Sequence, residues 1–434
     1  GYRGVAHLTF PIDYQSQEMP KDKPSMRNMP GHTSHTFAPS IPVPSPVELQ
    51  RAAEILNAGK RVTILCGRGA LGASDALEQI AETLGAPIVK ALLGKNAVPD
   101  DSPYTTGGIG LLGSEPSQAA MEACDTLLLV GTSFPYIEYY PKPGQARCVQ
   151  IDSDPMRISL RYPVDVALVG DSNVTLQQLL PLLQRKEDRS FLEQSQARMQ
   201  DWRTLMEKRG TCQEMPMKPQ VVAWELGKRL RDDAILCADS GTNTVWWARQ
   251  IPAKRGQMHS VSGLLASMAC GLPYAVAAQI AYPERQVVAF VGDGGFSMLM
   301  AEFATCVKYN LSVKIIVINN QALGMIRWEQ MIYQGNPEFG IELQNIDYAA
   351  VARAFGGTGF RVEAPAECGH VLEAALAHPG PVIVDAIVDG LEPPTPPKIT
   401  AEEAQKFQEA LAKGEPYREQ IALTSLADKV RELI

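Results

Sequence analysis

No Cys-x-x-Cys pair occurs among the eight cysteines (66, 124, 148, 212, 237, 270, 306 and 368), and the six histidines are scattered. That argues against a metal site of zinc or iron–sulfur type. Several cysteines, Cys66 and Cys237 among them, sit in apolar strand-like runs and read as buried free thiols in a reducing compartment, here the cytoplasm. Charge is sparse too: 20% of the 434 residues are Asp, Glu, Lys or Arg, without blocks of one sign, and the net charge is -8. A nucleic-acid surface would call for a basic stripe, so no nucleic-acid partner is expected. The first residues do not read as a secretory signal. One uncharged run nears membrane-spanning length, "LLASMACGLPYAVAAQIAY" over 264–282. Gly271 and Pro273 interrupt it and "PERQ" follows at once, so it reads as a buried helix of an α/β layer. There is no internal repeat and no low complexity beyond proline-rich linkers.

What is present is an ordinary globular composition, 45% hydrophobic, long enough for two or three domains. "GVAHLTFPID" over 4–13 reads as a strand ending in a turn, so the chain opens inside a fold. Proline-rich sequence over 19–45 reads as an extended linker. Ser45-x-x-Glu48 is a capping box that starts a helix running to about Gly59. Short apolar runs follow at 61–67, 86–92, 125–132, 146–152 and 166–171, most of them separated by helical patterns. Continuous rather than alternating apolarity implies strands covered on both faces, hence a parallel sheet. A charged helical stretch over 184–208 leads to a second alternation: a helix near 220–230, a strand near 234–238 and a last strand over 380–388. The expected fold class is α/β, with two doubly wound parallel-sheet domains and a helical C-terminal tail. The middle, Rossmann-like domain spans 46–185, a connecting segment 186–215, the second sheet domain 216–392 and the tail 393–434. In the tail, Thr400-x-x-Glu403 caps a helix and "YREQIALTSLADKVRELI" is amphipathic. Acids interleave with its bases, unlike a basic helix that rests on a membrane surface.

The decisive stretch is "VVAFVGDGGFSMLMAEFATCVKYNLSVKIIVINNQALGM" over 287–325. One strand stops at Gly292-Asp293-Gly294-Gly295 and the next at Asn319-Asn320. Between them Phe296, Leu299, Met300, Phe303, Ala304 and Val307 follow helical spacing as one apolar face. Strand–helix–strand crossovers are right-handed with parallel strands, so both strand ends emerge on one edge of the sheet. Asp293 and Asn320 then meet there, offering a carboxylate and an amide oxygen, with backbone carbonyls after Asn320 adding another. That set suits a hard cation such as Mg²⁺. One carboxylate holds Mg²⁺ poorly alone, so phosphate oxygens complete the shell. Gly294 and Gly295 let the backbone approach a diphosphate. Taken singly, each motif would be only a tight turn.

Gly-Asp-Gly followed at this interval by Asn-Asn resembles the signature of thiamine-diphosphate-dependent enzymes. The resemblance implies that Asp293, Asn320 and the backbone of Ala322 hold Mg²⁺. It implies that Gly292, Gly294 and Gly295 contact the cofactor and that Gly241, Thr242 and Asn243 of "DSGTNTVWWAR" hold its diphosphate from the other side. In "LASMACGLP", Met268 would bend the cofactor and Ala266 would meet its aminopyrimidine. Without the family, Met268 is an ordinary core methionine. "PERQVVAFVGDGGFSMLM" and the whole arrangement resemble pyruvate oxidases and quinone-dependent pyruvate dehydrogenases. Residues 1–18 would be the remnant of a pyrimidine-binding domain, and the activating glutamate is expected in that domain of a neighbouring subunit. No glutamate of this chain is assigned to that role, and these 434 residues are expected to be half an active site.

"CGRGALGA" over 66–73 is a glycine-rich turn, open to a structural or a ligand reading. A second glycine-rich loop, "GGIGLLG" over 107–113, and the strand ends at 131–136 and 151–158 add to it. The resemblance assigns FAD to Gly67, Arg68 and Gly69, to Gly110, Leu111, Leu112 and Gly113, to Ser133, Phe134, Pro135, Tyr136 and Ile137, and to Asp154, Pro155, Met156, Arg157 and Ile158. "LGMIRWEQMIY" over 323–333 is expected as a helix whose Met325, Arg327, Trp328 and Glu329 wall the substrate, although Trp328 reads equally well as a packing residue. "GMIRWE" is also similar to acetolactate synthases. Three readings stay open: decarboxylation of pyruvate or a similar small 2-oxo acid with FAD-linked oxidation; a carboligase joining two 2-oxo acids; and a non-catalytic module that pairs with a separate pyrimidine-domain chain. A homodimer or homotetramer is implied.

Overall fold

The computed structural model describes residues 7–18, 27, 29 and 41–424. The chain divides into two units, 1–42 and 43–434. In the first, residues 7–10 form no strand and Ile12–Gln15 is a short helix, which corrects the strand expected over 4–13 where that stretch is described. A strand needs a ladder partner, and none pairs with these residues among those described. Most of the expected linker lies outside the described residues.

The second unit carries two six-stranded parallel sheets. The first holds β1 (Val62–Cys66), β2 (Ile88–Lys90), β3 (Thr105–Gly108), β4 (Thr126–Val130), β5 (Arg147–Asp152) and β6 (Val166–Val169), in the order β3-β2-β1-β4-β5-β6. The second holds β7 (Ile235–Ala238), β8 (Met258–Ser260), β9 (Val287–Gly292), β10 (Lys314–Asn319), β11 (Thr358–Val362) and β12 (Val382–Ile387), in the order β11-β12-β10-β9-β7-β8. Alternate residues of each strand enter different cores. Ile64, Leu128 and Val149 face one cluster of the first sheet, and Leu65, Leu127 and Cys148 face the other. Phe290 and Ile316 share that division with Ala289 and Ile315 in the second sheet. Burial on both faces is why these strands read as unbroken apolar runs. All eight cysteines are free and all but Cys212 are buried; burial pushes the Cys66 and Cys237 thiols up to about 12.

Three strands escape the apolar pattern. β3 begins inside "TTGGIG", so Gly107 and Gly108 belong to an edge strand rather than to the glycine-rich loop. β8 and β11 are edge strands with mixed burial. The uncharged run also differs from expectation. Its helix is Gly271–Ala281, while 264–270 is a loop in which Leu264 and Ala269 take left-handed conformations. Only one side of that helix is buried; Tyr274, Ile280 and Tyr282 are exposed. Among the described residues no helix is long and apolar enough to cross a membrane. The helix after β9 is interrupted by a tight turn at Met300–Glu302. Phe296, Phe303 and Cys306 are therefore buried, while Leu299 and Ala304, expected on the same face, are exposed.

A charged lock joins the layers between the sheets. Lys90 Nζ donates to Asp100 Oδ1 at 2.5 Å and Lys95 Nζ to Asp100 Oδ2 at 3.5 Å, while Ala253 N–H donates to Oδ2 at 2.7 Å. Lys95 also bonds the Ala248 carbonyl at 3.0 Å and lies over the Trp247 ring. Burial alone would raise the Asp100 carboxyl, but Lys90 and Lys95 reverse this and hold it well below the usual range. Asp100→Ala would leave two ammonium groups buried against no carboxylate. Chemical denaturation should then show a loss on the order of 3–5 kcal/mol. An unchanged unfolding midpoint would mean that water solvates these lysines in place of Asp100.

Candidate functional site

The strand order of the second sheet reverses between β7 and β9, and in parallel α/β sheets ligands bind outside the carboxyl ends at such a reversal. Three segments meet there. Residues 239–243 follow β7, 293–295 follow β9 and 320–323 follow β10. Gly292 pairs with Ile318, so Asp293 and the Asn319-Asn320 pair leave the sheet one and two residues later at the same level.

Asp293 is 4% exposed. Its Oδ1 accepts from Gly294 N–H at 3.0 Å and its Oδ2 from Gln321 N–H at 2.7 Å, which ties the β9 loop directly to the β10 loop. Tyr348 Oη donates to the Asp293 carbonyl at 3.1 Å. No Lys, Arg or His pairs with the carboxylate among the described residues. Burial, with no cation to offset it, raises the carboxyl to about 7.

The two asparagines divide their work. Asn319, 1% exposed, turns inward and donates to Asp385 Oδ1 at 2.9 Å. Asn320 is half-buried, and among the described residues its Oδ1 accepts only from Ala322 N–H, at 3.3 Å. Gln321, between them and Ala322, takes a left-handed conformation that turns the loop back across the carboxylate. Ala322 itself is buried and bridges to Glu342.

On the β7 side, Gly241 has φ +139°, backbone that favours glycine, and leads into the helix Thr242–Gln250. Thr242 lies beside Gly324 of the β10 loop. Asn243 is more committed than expected: it is buried, and its Nδ2 bonds the Asp239 and Phe290 carbonyls at 2.9 and 3.3 Å. Its donor group therefore braces β7 against β9 and is not free for a diphosphate. Met268 is half-buried, with Cε 3.4 Å from the point a Gly294 Cβ would occupy, and Ala266 is exposed nearby in the loop.

The expected substrate wall is brought only partly to this place. The helix Gly324–Ile332 forms, but Arg327 turns into an ion pair with Glu338 and bonds the Gly390 carbonyl at 2.5 Å. Trp328 stacks on Phe407 of the C-terminal helix Ala401–Ala412, centroids 6.4 Å apart, so its packing reading holds. Met325 is partly buried and packs against a core cluster of the second sheet, and Glu329 is exposed.

In the first sheet the four glycine-rich or strand-end segments do gather. Gly69 N–H bonds the Gly131 carbonyl at 2.9 Å, the Phe134 ring lies against Gly110, and Arg157 Nη1 donates to Ser133 Oγ at 3.1 Å. Most of these glycines serve backbone packing: a Cβ at Gly67 or Gly69 would come within 2.7 Å of the β4 loop, and one at Gly113 within 2.6 Å of the Gly108 carbonyl. Arg68, Tyr136, Ile137 and Met156 stand exposed along this edge, and Asp154, Pro155 and Ile158 form the turn beyond β5. Leu111 and Gly113 offer their carbonyls to Arg249 of the second sheet's layer.

Two residues of the second sheet's network had no role in the sequence reading. Asp239, directly after β7, and Asp385, inside β12, are each fully buried and each raised by burial. An acid inside the apolar run "VIVDAIV" is the signal that could have flagged Asp385.

The donor set fits magnesium. One buried carboxylate without a cation, one half-buried amide oxygen and a backbone turn supply oxygen only. Among the described residues no three His, Cys, Asp or Glu side chains gather to hold a metal unaided. A cation at Asp293 therefore needs oxygen from a ligand such as a diphosphate.

Two family models match the chain: thiamine pyrophosphate enzyme, central domain, over 49–179, and thiamine pyrophosphate enzyme, C-terminal TPP binding domain, over 239–386. YdaP of Bacillus subtilis, named as a thiamine pyrophosphate-containing protein, is 39% identical over 431 residues, 99% of this chain and 73% of that one. Pyruvate oxidase of Lactiplantibacillus plantarum is 30% identical over 406 residues, 93% and 66% of the two chains. A Methanocaldococcus jannaschii protein named as an acetolactate synthase large subunit is 29% identical over 419 residues, 92% and 69%.

The lone Asp293 carboxylate sets a pH dependence. In the unfolded chain it ionises near the ordinary value of 3.8, in the fold near 7. Between those values the unfolded state has released a proton that the folded state retains. Stability of the cation-free protein falls as pH rises through this window, and the whole cost persists above it. The unfolding free energy of the cation-free protein should therefore fall between pH 4 and pH 8, by a few kcal/mol at most, and Asp293→Asn, which cannot ionise, should not show that fall. An equal fall in both proteins would show that the carboxylate is already compensated.

Proposed function

Since the chain belongs to the thiamine pyrophosphate enzyme family, we propose that it serves the magnesium-dependent decarboxylation of pyruvate or a similar 2-oxo acid, coupled to oxidation by a bound FAD. The carrying observation is the bond from Gln321 N–H to Asp293 Oδ2, which clasps the β9 and β10 loops into one oxygen-lined site beneath Met268. Bound thiamine diphosphate supplies the carbon nucleophile and the electron sink for loss of CO₂. The chain's own residues bind and orient. Asp293, Asn320 and the Ala322 backbone would hold Mg²⁺, and Gly292, Gly294, Gly295, Gly241 and Thr242 would lie against the diphosphate. Met268 sets the height of the floor under the organic part.

The flavin half rests on the similarity to pyruvate oxidase and on the four loops gathered at the carboxyl edge of the first sheet. Exposed Tyr136, Ile137 and Met156 offer apolar cover, and Arg68 a cation for phosphate. A homo-oligomer is supported by exposed Tyr274, Ile280, Met298 and Leu299 on adjoining helices, an apolar face that a second subunit would cover. The second reading, a carboligase joining two 2-oxo acids, is favoured by the similarity to the protein named as an acetolactate synthase.

The full-length protein should be yellow as purified, and pyruvate added without oxygen should bleach it when thiamine diphosphate and Mg²⁺ are present. Flavin that stays oxidised removes the redox role. Acetolactate formed with no electron acceptor would establish the carboligase instead.

A further inference from the structure

We propose that Asp239 is a positioning residue: its carboxylate fixes the C-terminal end of the 264–270 loop, and so aims Met268 at Gly294. The proposal rests on the cofactor reading above for what Met268 touches, but the positioning itself is read from the chain alone.

Asp239 leaves the sheet one residue after β7 and is fully buried, so it reaches no ligand. What it reaches is backbone. Oδ2 accepts from Ala269 N–H at 3.0 Å. Oδ1 accepts from Ser240 N–H at 2.8 Å and from Cys270 N–H at 3.2 Å, with the Cys270 thiol at 3.5 Å. One side chain thus binds the end of β7 to the start of the helix Gly271–Ala281, across 31 positions of sequence.

The loop it holds needs holding. Residues 264–267 are exposed, and Ala269 sits at φ +68°, a conformation disfavoured for any residue with a Cβ. Such a residue persists where its surroundings over-determine it. Here the carboxylate fixes the amides of Ala269 and of the next residue. Met268 precedes Ala269, so its direction follows from that anchored turn. Asp239 also accounts for the second glycine of the Gly294-Gly295 pair, because a Cβ at Gly295 would collide with Oδ2. One buried acid therefore joins the β7 end, the Met268 loop and the β9 loop.

Asp239→Asn keeps the shape and turns one acceptor into a donor that faces an N–H. Amide exchange at Ala269 or Cys270 should quicken on the order of tenfold or more, the loss expected of a charge-assisted bond. By calorimetry with Mg²⁺, affinity for thiamine diphosphate should fall by a comparable factor, while affinity for inorganic diphosphate, which does not extend to Met268, should be unchanged. Met268→Ala should show the same selective loss, and the double variant should lose no more than either single one. Unchanged exchange at both amides overturns the proposal. So does an equal loss for both ligands, since Asp239 would then act on the metal and diphosphate loops. Should Asp239→Asn fail to fold, exchange in the unmodified chain decides: Ala269 and Cys270 protected beside a freely exchanging 264–266 supports the anchor, and fast exchange throughout overturns it. If the unmodified chain binds neither ligand, the cofactor reading fails, whereas the exchange result still judges the anchor.

Discussion

The register of β9 against β10 is the constraint on which the site depends. Both strands are covered on both faces, so neither can carry a polar side chain along its length without cost. Polar groups are pushed to the carboxyl ends. Because the strands are parallel and Gly292 is level with Ile318, the acid after one and the amides after the other arrive together. A shift of one residue would put Asn319 where Asn320 stands and would turn the inward amide toward the site. The bond between Asn319 and Asp385 of β12 opposes that slip, since it pins the inward amide to the neighbouring strand.

The first sheet has the same architecture but spends its glycines differently. In the second sheet Gly295 makes room for a neighbouring side chain. In the first, Gly67, Gly69 and Gly113 make room for other backbone. Close packing of Gly69 on Gly131 draws the loops after β1 and β4 together. The two sheets are not independent either. Arg249 bonds the Leu111 and Gly113 carbonyls, and the Lys90–Asp100–Lys95 lock reaches the Ala248 and Ala253 backbone. Any ligand that spans both strand edges would therefore meet them at a fixed separation.

How much of this could be read from the sequence follows from how each element is stabilised. Strands buried on both faces carry their own signal, so β1, β9, β10 and β12 were legible, and with them Asp293 and Asn320 at their ends. β3, β8 and β11 are edge strands whose place is set by a neighbour, and "TTGG" carries no strand signal of its own. The helix before β9 was placed too early because apolarity continues through 264–270, whereas the left-handed Ala269 and the hydrogen bonds to Asp239 that stop the helix there are tertiary facts. Arg327 was misdirected, and Trp328 left open between wall and packing, for the same reason. Sequence places them on a helix beside the site, but which way they turn depends on Phe407 and Glu338, distant in the chain.

Three buried acids crowd this end of the sheet, and their hydrogen bonds separate their roles. Asp385 accepts from the Asn319 amide, from Tyr348 N–H and from Arg361, a cation that offsets its charge. Asp239 has no cation but is wrapped by three backbone N–H groups and a thiol, which occupy both of its oxygens. Asp293 has two N–H donors, one to each oxygen, and no positive partner. A carboxylate offers about four lone-pair sites, so Asp293, with one donor on each oxygen, keeps the most unused acceptors of the three beside a charge that no cation among the described residues offsets. Burial makes that combination costly in the absence of a cation. The same burial makes a bound divalent ion far more effective than it would be in water, because the low dielectric strengthens its attraction to the carboxylate. Asp293 is thus the acid of the three with the fewest partners in the chain by itself and the best suited to hold a metal, and both properties have one cause.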